Sequence, residues 1–337
     1  MYRAGALQLS TESAFATSHR PRLRVALFHP RHWPMWWVWC ALGLLRVLPW
    51  RLRGVLACVV AALIVRIPTS RRHDAAANLA ACFPDLAPSA RWRLLARHVR
   101  LQVELYLAFG ELLFTPRARL RERFDVTGQD AVTAASAAGR GVILLTPHTC
   151  AFEWGGQCIA MLHPVVSVAR LHEDDPLMDW ILHTMRLKSG GVVYGNEQSM
   201  VPLIKAVRGG RWMFYLPDED RRNDNGVFAP FFGVPKLTVP SVGRLAAACR
   251  ADVFPVRIAY QPDTRRFSVE FLPALAPFSG ADPAADAARM NAVIEGLLAP
   301  DLAQYGWSQR IFRSRPEGVA KVYGPNGVLG TTRAVPR

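Results

Sequence analysis

Apolar and polar positions divide the chain into three regimes. Residues 1–27 are polar, small and basic with no apolar periodicity, and are predicted to be disordered. Residues 28–68 are densely apolar, in two runs, Trp33–Leu45 and Gly54–Val65, parted by Arg46, Arg51 and Arg53. Beyond them the pattern turns amphipathic. Asp74–Phe83 reads as a short helix stopped before Pro84. Ala90–Phe114 reads as a long helix capped by Ser89, with Leu94, Leu95, Val99, Val103, Leu105 and Phe109 on its apolar stripe. The arginines of that helix, and His98, read as its solvated face.

After Gly128 short apolar runs alternate with helical periodicity. Strands are predicted at Val142–Thr146, Val165–Ala169, Trp212–Leu216, Val253–Ala259 and Phe267–Leu272. Helices are predicted at Phe152–Leu162, Leu177–Leu187, Met200–Val207, Val239–Cys249 and Ala284–Leu298. Such alternation predicts an α/β fold with a mixed, largely parallel sheet flanked by helices. Residues 69–323 are assigned to this α/β body, and the Gly/Pro-rich residues 324–337 to a loose tail.

Neither apolar run at the N-terminal side reaches the roughly 20 residues that span hydrocarbon. Trp33, Trp36, Trp37 and Trp39 cluster at one end, as side chains do at a membrane interface. A pair of buried core helices also explains the runs. Membrane attachment explains the tryptophans and the basic flank of Arg66, Arg71 and Arg72 as well, so residues 28–68 are read as a hydrophobic membrane anchor. Two forms stay open: one span with Arg46 snorkelling, or a helical pair lying in the interface. The basic flank keeps the rest of the chain on the cytoplasmic side.

Charge adds a constraint on partners. The 41 Lys and Arg against 26 Asp and Glu leave a net +15, which favours acidic partners: nucleic acid, anionic lipid or an acidic carrier protein. Nothing resembles a helix-turn-helix, RRM or KH block, so no nucleic-acid partner is expected. The six cysteines form no CxxC pair, which argues against a zinc ribbon and for a reducing compartment.

The candidate chemistry sits where the strand Val142–Thr146 runs through Pro147 into His148, with Glu153 five residues on. Sites in α/β sheets gather at the C-terminal ends of strands. Glu153 falls in the first helical turn, where the dipole favours a carboxylate. A loop bending back there lets Glu153 accept from one imidazole nitrogen, leaving the other to take a proton from a hydroxyl. A loop with two unrelated polar residues is the plain alternative. Cys150 is a rival nucleophile for a thioester route, though cysteine is more often buried filler. His163, His172 and His183 show no metal-ligand spacing with a carboxylate, and no metal or cofactor is assigned.

Longer blocks narrow the reading. "LTPHTCAFEWGG" resembles the H-x4-D/E block of the glycerolipid acyltransferase superfamily. "RLHEDDPLMDWILHTMRLKSGG" (170–191) and "WMFYLPDEDRRNDNGVFAPFFGVP" (212–235) resemble the second and third blocks of the late, or secondary, acyltransferases of lipid A biosynthesis. "FHPRHWP", "ACFPDL" and the closing "QYGWSQRIFRSRPEGV" are similar to that family too. The resemblance runs from Phe28 to Tyr323. It implies a glycerolipid-acyltransferase-like enzyme on the cytoplasmic face of a Gram-negative inner membrane. Such an enzyme moves a fatty acyl chain from acyl carrier protein to a hydroxyl of a primary acyl chain on a lipid A precursor, usually bearing Kdo. The resemblance implies catalytic positions at His148 and Glu153, an essential arginine at Arg186 and an essential aspartate at Asp218. Arg170, Arg221 and Arg222 are the candidates for contact with the acceptor's phosphates or Kdo, and a solvated basic run explains Arg221 and Arg222 equally well. "DEDRRNDNG" departs from the more common "DxDxGP". A 1-acylglycerol-phosphate-type phospholipid acyltransferase, using the same H-x4-D/E chemistry, is the enzyme alternative, and "PLMDW" and "RPEGV" favour the lipid A branch.

Overall fold

A computed structural model describes residues 18–195, 199–221, 225–278 and 280–324. Seven strands form one sheet, in the order β1 (Phe124–Thr127), β9 (Arg266–Phe271), β8 (Ala251–Gln261), β2 (Gly141–Leu145), β5 (Trp212–Tyr215), β3 (Val165–Ala169) and β4 (Val192–Gly195). All neighbours are parallel except β8 and β9, so the sheet is mixed and largely parallel. The long strand β8 serves two partners: residues 251–255 pair with β2 and residues 256–261 with β9.

Successive strand side chains point to opposite faces. Ile143, Leu145 and Met213 therefore join one core, with Val242, Met290 and Ile294 of the helices Ser241–Cys249 and Pro283–Leu298. Val142, Leu144 and Phe214 join the other, with Trp154, Cys158 and Ile159 of the helix Phe152–Leu162. Near-continuous apolar strands are what a sheet covered on both faces demands.

Several predicted elements differ in detail. The long amphipathic helix runs Pro88–Leu107 and breaks at Ala108 before a short helix, Phe109–Phe114; Ser89 makes no cap. His98 is not on a solvated face. It is fully buried, with Nδ1 3.0 Å from the Ala303 carbonyl and Nε2 3.0 Å from Ser308 Oγ. Strands β1 and β4 and the hairpin β6 (Val227–Phe231) with β7 (Val234–Thr238) were not foreseen. The hairpin turns on Phe232 and Gly233, both at positive φ, as a two-residue loop of the primed kind requires. A phenylalanine in a left-handed position hides that turn from a composition-based reading.

The two N-terminal apolar runs are two helices, Trp33–Leu45 and Trp50–Ile64, and no helix among the described residues is long and apolar enough to cross a membrane. The second helix buries Ala57 and Ala61 and exposes Leu52, Val55, Val59 and Leu63 along its other side. Residues 18–27, expected to be loose, have defined contacts: Leu27 is buried and its carbonyl accepts from Trp36 Nε1 at 2.8 Å. The expectations for residues 1–17 and 325–337 lie outside the described residues.

Arg53 fastens the second helix to the body. Its guanidinium and that of Arg123 both grip Glu111, whose side chain is only 8% exposed. Removing the charge of Glu111 leaves two guanidinium groups facing each other, and breaking such a buried pair costs about 3 kcal/mol. Glu111→Gln should lower unfolding stability by that amount in a denaturant titration. A midpoint equal to that of the parent protein would show that the triad does not hold the helix.

Candidate active site

Strands β2 and β5 lie side by side and parallel, with Leu145 opposite Tyr215. Each chain then leaves the sheet through a proline, Pro147 or Pro217, and reaches its functional residue at the third position past that pair: His148 on one side, Asp218 on the other. The register alone brings them together. His148 Nδ1 donates to Asp218 Oδ1 at 2.6 Å, and the His148 backbone N–H donates to Asp218 Oδ2 at 2.9 Å. Both oxygens of one buried carboxylate thus hold one histidine.

This bond sets the tautomer. With Nδ1 protonated, the lone pair sits on Nε2, which lies 3.6 Å from Glu219 Oε1, too far for a hydrogen bond. Burial pulls the His148 pKa down, but the charge and hydrogen bond of Asp218, with Glu219 behind, outweigh it and hold the imidazole above its ordinary value. Burial pushes the Asp218 carboxyl up; His148 and then Lys236 more than offset this and keep it below its ordinary value. Lys236, in strand β7 of the hairpin, is fully buried, and Tyr305 is buried beside Asp218.

The pairing of His148 with Glu153 expected from the sequence is not what forms. Glu153 does occupy the first turn of the helix Phe152–Leu162, but its carboxylate is taken by Arg186. Arg186 Nε donates to Oε1 and Oε2 at 3.1 and 3.2 Å, and Nη2 donates to Oε1 as well. Arg186 Nη1 is buried without a partner. Glu153 and Arg186 are therefore brought together as an ion pair, and His148 and Asp218 as a dyad. Arg170 is exposed just past the C-terminal end of β3, and exposed Arg221 contacts Glu219 at 3.2 Å. Arg222 lies outside the described residues.

Sequence reasoning missed the segment that closes the loop from behind. Gly306 N–H donates to the His148 carbonyl at 2.8 Å, and Cys150 N–H donates to the Gln304 carbonyl at 2.6 Å. A Cβ on Gly306 would press into the His148 carbonyl, so only glycine permits this approach. The "QYGWSQ" block was visible as a block, and its contact with the histidine loop was not. The Asp179-x3-His183 spacing was missed as well: the two residues sit one helical turn apart in the helix Pro176–Leu187.

Cys150 is half-buried, and burial, followed by Asp301, pushes its thiol up to about 12. A thiol that basic is not a thiolate at neutral pH and is a poor nucleophile. A histidine base aligned by a carboxylate at the ends of parallel strands, beside an inert thiol, suits a transferase that activates its substrate's hydroxyl.

Comparison with known proteins supplies the family. Residues 21–314 match the bacterial lipid A biosynthesis acyltransferase family, and the chain belongs to it. A lipid A biosynthesis acyltransferase of Haemophilus influenzae is 30% identical over 293 residues, 86% of this chain and 90% of that protein. The lipid A biosynthesis lauroyltransferase of Escherichia coli is 29% identical over 307 residues, 90% of this chain and 99% of its own. The E. coli lipid A biosynthesis myristoyltransferase is 26% identical over 303 residues, 90% of this chain and 94% of its own.

The dyad makes a signed prediction for pH. A general base must be neutral, so turnover falls as pH drops through the His148 pKa. Asp218 raises that pKa, so in Asp218→Asn the acid limb of kcat/KM should move to lower pH while the plateau falls about 100-fold or more. An acid limb that stays in place would mean that Asp218 does not face the titrating group.

Proposed function

We propose that this protein transfers a fatty acyl chain from acyl carrier protein to a hydroxyl on a primary acyl chain of a Kdo-bearing lipid A precursor, at the cytoplasmic face of the inner membrane. The observation that carries the chemistry is the 2.6 Å bond from His148 Nδ1 to Asp218, which leaves Nε2 as the proton acceptor. The acceptor hydroxyl gives its proton to His148 Nε2 as its oxygen attacks the thioester carbon. The tetrahedral intermediate then expels the carrier's thiolate, which His148 reprotonates. Asp218 stays ionised and stabilises the imidazolium. No acyl-enzyme forms, in keeping with the high pKa of Cys150.

Arg186 is assigned to an anionic group of the acceptor, with Glu153 fixing its plane; its unpartnered Nη1 is buried and must be uncovered for that contact. Arg170, Arg221 and Arg222 are assigned to the more exposed phosphates or Kdo. The net +15 suits an acidic carrier and an anionic surface together. The names of the relatives favour lipid A over a simpler glycerophosphate acceptor.

The helical pair is assigned to lie in the interface. Leu52, Val55, Val59 and Leu63 fall at the i, i+3, i+7 and i+11 positions of one helix face, and Trp33 and Trp37 are also exposed on the first helix. Apolar burial is not screened by salt. The protein should therefore stay with membranes through a high-salt wash, and Val55→Glu with Val59→Glu should release it. Complete release of the parent protein by salt alone would leave only electrostatic adsorption.

The assay that tests the reaction uses purified protein, acyl carrier protein bearing a labelled chain, and a lipid A precursor in mixed vesicles, with the product read by mass spectrometry. His148→Ala should lower turnover by about 10²–10⁴. Because members of one unit are non-additive, His148→Ala with Asp218→Asn should be little worse than His148→Ala alone. Cys150→Ala should keep most activity. An acyl adduct trapped on Cys150, or near-normal turnover in folded His148→Ala, would defeat this mechanism.

A further inference from the structure

A second polar cluster lies at the far edge of the sheet, where the N-terminal segment crosses strand β4. The His19 backbone N–H donates to the Val193 carbonyl at 2.9 Å, which lays the segment against that edge. The His19 ring then meets the helix Pro176–Leu187. Its Nε2 is 2.5 Å from Asp179 Oδ2, and its ring stands edge-on to His183 with centroids 4.4 Å apart. One nitrogen from each imidazole and one oxygen from Asp179 all fall within 4.8 Å of one another.

His183 is the informative member. It is fully buried, and its Nδ1 lies 2.9 Å from the Asp179 backbone carbonyl. A carbonyl only accepts, so Nδ1 carries the proton and Nε2 carries the lone pair. That Nε2 is buried with no hydrogen-bond partner. A buried ring nitrogen left bare costs about 1–3 kcal/mol unless something occupies its lone pair. His172, whose backbone N–H donates to Asp179 Oδ1 at 3.0 Å, also has a buried Nδ1 without a partner. Hydrogen bonds inside the cluster leave these nitrogens unexplained.

We propose that His19, Asp179 and His183 bind a divalent transition-metal ion of the Zn2+ type, clamping the N-terminal segment onto the helix that carries Arg186. Two imidazoles and one carboxylate are the donors such ions take, at about 2.0–2.2 Å, with solvent or a further ligand in the fourth place. Mg2+ and Ca2+ prefer all-oxygen shells and are disfavoured here. Ligand atoms around a tetrahedral ion sit about 3.4 Å apart. The cluster must therefore open between His19 and Asp179 and close elsewhere. His19 can supply that movement, being in a segment outside the regular elements and 24% exposed. Asp179 and His183 lie one helical turn apart, with Asp179 Oδ1 3.3 Å from His183 Nδ1, so ligation through the bare Nε2 also requires the His183 ring to turn. The ion replaces the proton that the His19 and Asp179 side chains now share. Its role is structural: Arg186 follows His183 by three positions on the same helix, so fixing one end of that helix steadies the guanidinium.

The test uses the untagged full-length chain, stripped by chelator, and titrated with Zn2+ and separately with Co2+. Binding of one equivalent is expected, with the visible ligand-field absorption of histidine-bound Co2+, and with no comparable uptake of Mg2+. Zn2+ should also raise the melting temperature. His19→Ala removes a partly exposed ligand without opening the core and should weaken Zn2+ binding at least about tenfold. Asp179→Asn should weaken it likewise, and the exposed control His73→Ala should not. Absence of stoichiometric binding in the parent chain would overturn the proposal, leaving the cluster a hydrogen-bonded clasp. Binding that survives unchanged in His19→Ala would overturn it equally, by placing the ion elsewhere.

Discussion

The parallel pairing of β2 with β5 is the constraint on which the site depends. With Leu145 opposite Tyr215, two loops of equal length leave neighbouring strands and deliver an imidazole and a carboxylate to one point. A slip of one residue in a parallel pair would turn every side chain of one strand to the other core. The apolar residues that fill both cores, Ile143 and Met213 on one side, Leu144 and Phe214 on the other, therefore also specify where the base and its partner meet. Hydrophobic burial, which is non-directional, acquires direction here through strand alternation.

His148 is held in place whichever charge it carries. Three hydrogen bonds from two residues restrain His148: Asp218 takes its ring and its amide, and Gly306 takes its carbonyl. The Gly306 segment is itself anchored. His98, buried and pulled by burial to about 4, stays neutral and links the Ala303 carbonyl with the Ser308 hydroxyl. Asn78 donates to the Trp307 and Gln309 carbonyls, both at 2.7 Å. Ser314 reaches back to Asp220, two residues from Asp218, through its amide and its hydroxyl. The C-terminal segment thus acts as a brace running from the helical layer to both site loops. Charge-assisted and fully satisfied bonds of this kind are stronger in a low-dielectric interior than in water.

The period of hydrophobicity was enough to read the helices Phe152–Leu162 and Pro283–Leu298 and the strands β2, β3, β5, β8 and β9, because long or fully apolar segments leave few alternatives. It was silent on strand order. β5 is inserted between β2 and β3, a choice made by tertiary packing and not by any local signal. That silence is why linear spacing pairs the histidine with the carboxylate near it in sequence instead of the one beside it in space. His98 shows the same limit: a polar side chain on an amphipathic helix is buried when a distant segment offers it two partners. Arg186 and Asp218 were named through the resemblance of their blocks. Their separate partners, Glu153 and His148, required the fold.

Those two pairings fix each other. Suppose Glu153 swung to His148, as the linear spacing suggests. Arg186 would lose every carboxylate bond it makes while remaining half-buried, and an uncompensated buried guanidinium costs about 3–5 kcal/mol. Asp218 would lose its ring contact in a place where it is 1% exposed, with burial driving its carboxyl toward the neutral form. A neutral Asp218 would no longer raise the pKa of the imidazole or balance the imidazolium. The arrangement present avoids both losses: each carboxylate meets a cation or potential cation, and each pair keeps one group free of its carboxylate. For the dyad that group is Nε2 of His148, and for the ion pair it is Nη1 of Arg186. One pair contains a group that changes charge near neutral pH, and the other a guanidinium whose charge is fixed. Keeping them on separate partners lets the first change protonation state without loosening the second.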